Sequence, residues 1–296
     1  MTDVLAALDI GGTKTHLVIE TLEGARLLDV VEPSLDWEAE PAHEAAAWIA
    51  ARVLPHIKGD MKLVSLAFGA QGINRAETSH DLEAALAALG FRARAINDAA
   101  LIVPAAGFSQ GIGVIAGTGA ICVGTDGQGH FLASGGWGWI IGDEGSAAGL
   151  VREATRAALK ANDAGLPDDG LLEHLIAAFG VADAERLTRR VNDDPTVENW
   201  APHAPAIFAA ADAGSALAEG VIVDGAQALA ALVGQLRDRG AVGSDVVVAG
   251  SVIVNQPRLF DAFDAAIRAE HPDGRVHILR APPVEGALLL AREAVS

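Results

Sequence analysis

The sequence predicts an α/β layered fold with a mixed sheet, and three observations carry that expectation. Apolar runs that read as buried strands alternate with alanine-rich stretches of helical spacing. Two strand–glycine–threonine–strand hairpins, Asp9–Thr15 and Ala116–Ala120, recur roughly a hundred residues apart, which argues for two similar half-molecules. The chain has 296 residues, 51% of them hydrophobic, enough for two domains and a large core.

In order along the chain, Val4–Asp9 reads as a buried strand that Gly11-Gly12 turns into a second, His16–Glu20, with Arg26–Val31 as a third. Glu38–Ile57 has helical spacing, Met61–Phe68 returns as a strand, Ser79–Leu89 is helical and Ala93–Asn97 is a strand. A short helix from Asp98 to Gly107 precedes three strands, Gly113–Ala116, Ile121–Thr125 and His130–Ser134. From Glu144 to Arg239 the pattern is mostly helical, with breaks at 165–170 and 193–195. Asp245–Ala249 is a buried strand leading into G-S-V-I-V-N, Val276–Leu279 is the last strand, and Pro283–Val295 the closing helix.

Composition excludes several classes of function. A formal charge of −18 opposes binding to nucleic acid or anionic membranes, which need clustered Lys and Arg. The apolar run nearest to a membrane span, Val221–Val233, is interrupted by Asp224 and Gln227. The N-terminus lacks the basic region of a signal peptide, and the single cysteine, Cys122, fits a reducing cytoplasm. The nine histidines are scattered without ligand spacing, so a zinc site is not expected.

Four stretches carry candidate chemistry. In D-I-G-G-T-K-T (Asp9–Thr15), a Gly-Gly hairpin turn follows a carboxylate at the end of a buried strand, where a hydrated Mg²⁺ would compensate Asp9. In G-V-I-A-G-T-G-A (Gly113–Ala120), Gly117 and Gly119 permit positive φ and leave amides open to phosphate oxygens, with the Thr118 hydroxyl at the tip. Facing each other, the two turns would clamp one polyphosphate. Asp98, in N-D-A-A, is either a helix N-cap or the general base that phosphoryl transfer to an alcohol requires. Asp143-Glu144 is either a helix cap or, after G-G-W-G-W, a sugar-binding pair with Trp137 against a pyranose; Trp137 equally reads as core, and Trp37 and Trp200 as packing. G-I-G-V-I-A (Gly111–Ala116) precedes a strand instead of opening a helix, which excludes the dinucleotide-binding reading, and the lysine-containing P-loop pattern is absent.

Taken with V-V-V-A-G-S-V and P-P-V-E-G-A, these motifs resemble, in the family's order, the N-acetylglucosamine kinase branch of the BadF/BadG/BcrA/BcrD ATPases, within the sugar kinase–actin–Hsp70 superfamily. The resemblance implies two ribonuclease-H-like (actin-like ATPase) domains around an interdomain cleft, 1–110 plus 283–296 and 111–282. It implies ATP and Mg²⁺ as cofactors, a small sugar as substrate, and a cytoplasmic homodimer. Gly11, Gly12, Thr13 and Lys14 would form the first phosphate loop, and Gly117, Thr118 and Gly119 the second; Gly250 and Ser251 would lie against adenosine. Asp9 would orient the metal's water shell, and Asp98 would be the catalytic base. Gly136, Trp137, Asp143 and Glu144 would bind sugar, with Asp36 in S-L-D-W replacing the family's asparagine, a charge suited to a cationic amino sugar.

Two departures bear on the substrate: Phe68 in A-F-G stands where the family has a small polar residue and would remove a sugar contact, and Trp139 is bulkier than the pattern. The expected activity is an ATP-dependent kinase of N-acetylglucosamine or glucosamine. An iron–sulfur ATPase activator of the same fold would need cysteines that the chain lacks, as would the zinc-containing sugar kinases. A non-catalytic sugar or nucleotide sensor is opposed by the intact Asp9, Asp98 and Asp143.

Overall fold

Residues 1–295 are described by a computed structural model. The chain divides into two compact units. The first takes Met1–Gly113, Gly124–Phe131 and the chain from Leu279 on; the second takes Val114–Val123 and Leu132–Ile278.

The first unit is built on five strands: β1 (Thr2–Ile10), β2 (Lys14–Thr21), β3 (Arg26–Pro33), β4 (Met61–Ala70) and β5 (Ala93–Asn97). Their order is β3-β2-β1-β4-β5. The first three strands form an antiparallel meander, and β4 and β5 run parallel to β1. Strand alternation splits β1 between two cores. Val4, Ala6, Leu8 and Ile10 face a layer made with α1 (Ala42–Val53) and α2 (Ala76–Ala88). Leu5 and Ala7 face the opposite layer, which includes Leu101 of the 3-10 turn Asp98–Leu101 that leads into α3 (Ile102–Ala105). The helix expected from Glu38 starts only at Ala42, behind Pro41, whose fixed φ suits a helix entry.

The second sheet contains β6 (Ile112–Ala116), β7 (Ala120–Thr125), β8 (Phe131–Gly135), β9 (Asp245–Ala249) and β10 (Arg275–Ile278), in the order β10-β9-β6-β7-β8. Counted from its other edge, this order is third, second, first, fourth, fifth, the same as in the first sheet. The doubled hairpin seen in the sequence thus belongs to a doubled topology, as the resemblance to actin-like domains implies. Helices α4 (Ala147–Asp163), α5 (Leu171–Phe179), α6 (Ala184–Asp193), α7 (Val197–Trp200), α8 (Ala204–Asp212) and α9 (Ala216–Asp238) fill the interval between β8 and β9.

Two further helices, α10 (Ser251–Asn255) and α11 (Pro257–Glu270), occupy a stretch in which the sequence reading placed no helix. Leu259, Phe263 and Ile267 recur every four residues there and form the buried face of α11. The chain ends in α12 (Val284–Glu293), which returns to the first unit and packs Val284, Ala287, Leu288 and Ala291 beside Leu5 and Ala7. Arg292 donates to Glu20 and Arg26 to Glu285 at 2.9 Å, tying this helix to the edge of the first sheet.

Among the described residues, one helix, α9, is long and apolar enough by length and composition to cross a membrane. Asp224 and Gln227 lie on its exposed side, while Val221, Ile222, Gly225, Ala226, Leu229 and Ala230 are buried in the second unit. Cys122 is fully buried in β7, and burial pushes its thiol well above the ordinary range.

Candidate active site

In the first unit the site grows from the end of β1. Alternation puts Asp9 on the same side of the sheet as Leu5 and Ala7, the side that carries the Asp98–Leu101 turn. Asp9 pairs with Gly69 in the parallel β1–β4 register. A Cβ on Gly69 would stand 2.5 Å from the Leu101 side chain and 3.0 Å from the Asp98 Cα, so only glycine lets this turn sit against the strand. Burial, and after it the negative charge of Asp98, raise the Asp9 carboxyl to about 6 against the opposing effects of His16 and Lys14. Burial also raises Asp98, opposed by hydrogen bonds from its own amide and that of Ala99.

Asp98 is not the helix cap. Asn97 takes that role: its side chain accepts from the Ala99 amide at 3.0 Å and donates to the Ile73 carbonyl and Asn74 Oδ1 at 3.0 and 3.1 Å. The cap of this turn is thus supplied by Asn97, with Asp98 next to it.

The β1–β2 tip, Gly11–Lys14, closes through a bond from the Gly11 amide to the Lys14 carbonyl, with Gly12, Thr13 and Lys14 exposed. It is tied to the loop after β3, where the Ser34 amide donates to the Thr13 carbonyl and the Ser34 and Thr15 hydroxyls meet at 2.8 Å. That loop carries Asp36, in a left-handed backbone at φ 58. It is braced by Trp48, which donates to the Leu35 carbonyl at 2.9 Å, and by Trp37, which packs edge-on against Trp48 and donates to the Gln71 carbonyl. Trp37 is therefore packing, as expected, and also fixes a loop. Arg52 lies over the Trp48 ring, pairs with Glu32 at 3.1 Å and feels the Asp36 charge, so Asp36 has a cation near it already. Phe68 is fully buried in the core beside Leu8 and Ile10, on the opposite side of the sheet from Asp9 and Gly69.

In the second unit the turn Gly117–Gly119 sits between two partners. Gly250 and Ser251 lie on one side: a Cβ on Gly117 would be 3.6 Å from the Gly250 Cα and the Ser251 amide. Asp143 lies on the other, with its Oδ2 2.8 Å from where a Gly119 Cβ would be. Gly250 has φ 101, and a Cβ there would meet the Ala116 carbonyl at 2.5 Å.

None of Gly11, Gly12, Gly117 or Gly119 has a positive φ, so the freedom that glycine permits at Gly117 and Gly119 is not used. Two of them are closely approached instead: Gln71 Oε1 would be 2.3 Å from a Cβ on Gly12, and Asp143 Oδ2 2.8 Å from one on Gly119.

Among the described residues, Asp143 is the non-glycine residue of the second unit with a left-handed backbone, φ 57, and it is buried. Burial raises its carboxyl, opposed by hydrogen bonds from the Ala120 and Gly138 amides, and its Oδ1 has no hydrogen-bond partner. The cap of α4 is Ser146, accepting from the Gly149 amide at 3.1 Å, so neither Asp143 nor Glu144 serves as one. Gly136, with φ 73, donates to the Ala120 carbonyl. Trp137 is 75% exposed and is not core, whereas Trp200 is buried and stacks on Trp139 at 4.8 Å.

The structure thus gathers Asp9, Gly11–Lys14 and Asp98 in the first unit, with Asp36 on the loop tied to that tip. In the second it gathers Gly117–Gly119, Gly250, Ser251 and Asp143, with Gly136, Trp137 and Glu144 on the loop around Asp143. Sequence reasoning missed Gly69, Gln71, Asn97 and Arg152, which shape these places through contacts distant in sequence.

Comparison with known proteins decides the family: residues 8–291 match the model of the BadF/BadG/BcrA/BcrD ATPase family. The chain belongs to this family. Within it, the chain is 28% identical over 302 residues to an N-acetylmuramic acid/N-acetylglucosamine kinase of Clostridium acetobutylicum, covering 96% of this chain and 97% of that one. It is 25% identical to the N-acetyl-D-glucosamine kinase of Dictyostelium discoideum, over 98% of both. The crystal structure of a candidate N-acetylglucosamine kinase from Chromobacterium violaceum superposes with a TM-score of 0.68 at 22% identity, covering 97% of this BadF-type chain and 98% of that one.

Proposed function

We propose that this protein is an ATP-dependent kinase of amino sugars, with N-acetylglucosamine as the leading substrate. The observation that carries the reading is the pairing of Asp9 with an uncapped Asp98 beside the Gly11–Lys14 tip. Two buried carboxylates whose charges oppose each other fit a divalent cation, which relieves the repulsion. Asp9 would hold Mg²⁺ through its water shell, and the ion would neutralise the triphosphate of ATP. Asp98, whose carboxyl burial raises, would accept the proton of the attacking sugar hydroxyl. The two turns are exposed at Gly12–Lys14 and at Thr118, where backbone amides would meet phosphate oxygens, and Gly250-Ser251 would give the nucleoside a surface. Asp143, with a buried oxygen lacking a donor, would take a sugar hydroxyl.

Asp36 narrows the sugar. Because Arg52 is close to it, it does not present an uncompensated negative charge, which favours an acetylated nitrogen over a free ammonium group. The two curated relatives are named for N-acetylated sugars. On the family resemblance we further propose a cytoplasmic homodimer.

A coupled ADP-release assay over N-acetylglucosamine, N-acetylmuramic acid, glucosamine and glucose tests the reading. Sugar-dependent release is expected, strongest with N-acetylglucosamine; release that ignores the sugar would refute the kinase assignment.

A further inference from the structure

The segment Gly135–Gly145 carries positive φ at Gly135, Gly136, Gly138, Asp143 and Gly145. A backbone wound this way makes few bonds within itself: Ile141 and Gly142 both donate to the Gly138 carbonyl, at 3.3 and 2.8 Å. Its tip is apolar and open to solvent, with Ile140 and Ile141 68% and 77% exposed. Nothing in the tip itself explains why the segment holds one shape.

The bracing comes from α4. Arg152, only 13% exposed, sends its Nη1 to two carbonyls of the segment, those of Trp139 and Gly142, the latter at 2.8 Å. Its Nε donates to Glu153 at 2.7 Å, and its Nη2 lies 3.8 Å from Glu144. The Gly142 carbonyl belongs to the peptide that precedes Asp143, so this bond fixes the plane from which the left-handed residue departs. The Asp143 carboxylate in turn meets the Gly138 and Ala120 amides only in that conformation, with Oδ1 left unpartnered. A guanidinium suits this bridge because its donors diverge in a fixed plane; an ammonium is a single point.

We propose that Arg152 is a positioning residue for sugar recognition: by bridging the Trp139 and Gly142 carbonyls it holds Asp143 in the left-handed geometry that leaves one carboxylate oxygen for a substrate hydroxyl. The inference rests on the amino-sugar kinase reading for the ligand, but its test does not depend on turnover.

The experiment compares wild type, Arg152→Lys and Arg152→Ala, after circular dichroism establishes which variants fold. Tryptophan fluorescence, titrated with N-acetylglucosamine in the absence of ATP, gives Kd, and steady-state assays give KM for sugar and ATP. The expected result is a sugar Kd and KM raised about 10- to 100-fold in Arg152→Ala and less in Arg152→Lys, with ATP KM within about 2-fold. Millimolar guanidinium, far below denaturing levels, is expected to restore part of the sugar affinity of Arg152→Ala, which a generally loosened fold would not show. Unchanged sugar Kd in a folded variant, or a loss confined to kcat, would overturn the proposal. Sugar binding without turnover in the wild-type protein would count against the kinase reading alone.

Discussion

Asp9 and Asp98 are held on one side of the first sheet with only the bare backbone of Gly69 between strand and turn, and the charge of Asp98 adds to burial in lifting Asp9 to about 6. The fold has placed two like charges together where an unpaired one is already unfavourable. Such an arrangement weakens the protein and, on the proposed function, would be relieved by a bound cation.

Asp9→Asn should therefore stabilise the metal-free protein while abolishing activity. The folded pKa of about 6 exceeds the unfolded 3.8, so the native state keeps a proton that the unfolded chain has lost. Stability falls as pH rises from 3.8 to 6, and the full penalty is present above 6. A lift of about two units at ~1.4 kcal/mol each bounds the gain at about 3 kcal/mol near pH 7, vanishing below pH 4. Calorimetry of both proteins across this range, without Mg²⁺, checks it; a variant less stable than wild type at pH 7 would contradict the argument.

Asp98→Asn should lower kcat by about 10²- to 10⁴-fold while leaving nucleotide binding within about 2-fold. Because burial raises Asp98, the acid limb of the wild-type kcat profile should fall at a pH above the ordinary carboxylate range. A profile flat down to pH 4, or a variant with full turnover, would show that another group takes the proton.

Alanine at two glycines should separate tight backbone from a movable side chain. In Gly250→Ala the new Cβ meets the Ala116 carbonyl and Gly117 amide at 2.5 and 2.8 Å, at φ 101, and about 2–4 kcal/mol of destabilisation follows. In Gly12→Ala it meets the end of the Gln71 side chain, which can swing away, so the loss should stay below about 1 kcal/mol. Urea melts of the two variants decide; equal midpoints would be incompatible with the geometry.

Phe68→Ser, which would bring in the small polar residue of the family pattern, should cost about 3–5 kcal/mol through the cavity it leaves and create no sugar contact. A folded variant with improved sugar KM would show that the side chain is not confined to the core.

Most strands were legible because their apolar runs are short and bounded by turns, and the candidate residues because each follows a strand end in a recognisable motif. What stayed hidden depends on approach between distant segments. Gly69 looks like an ordinary strand residue until Asp98 and Leu101 are set against it, and Arg152 like a solvated helix charge until the Trp139 and Gly142 carbonyls fold onto it. Asn97 took the cap that Asp98 was equally able to supply, a choice settled by its bonds to Ile73 and Asn74. The α11 face was readable in its four-residue spacing, but the charged residues between Leu259, Phe263 and Ile267 mask it. Glycine in a turn suggested backbone handedness, whereas neighbouring side chains and backbone were the actual constraint.

The sealed thiol of Cys122 has a practical result. Maleimide dyes should pass it by, so a cysteine engineered at Ile141 or Leu35, both exposed, can be labelled at one site in an otherwise natural background. Fluorescence from that single reporter would then follow ligand arrival in real time, with no need to strip the protein of its own sulfur first.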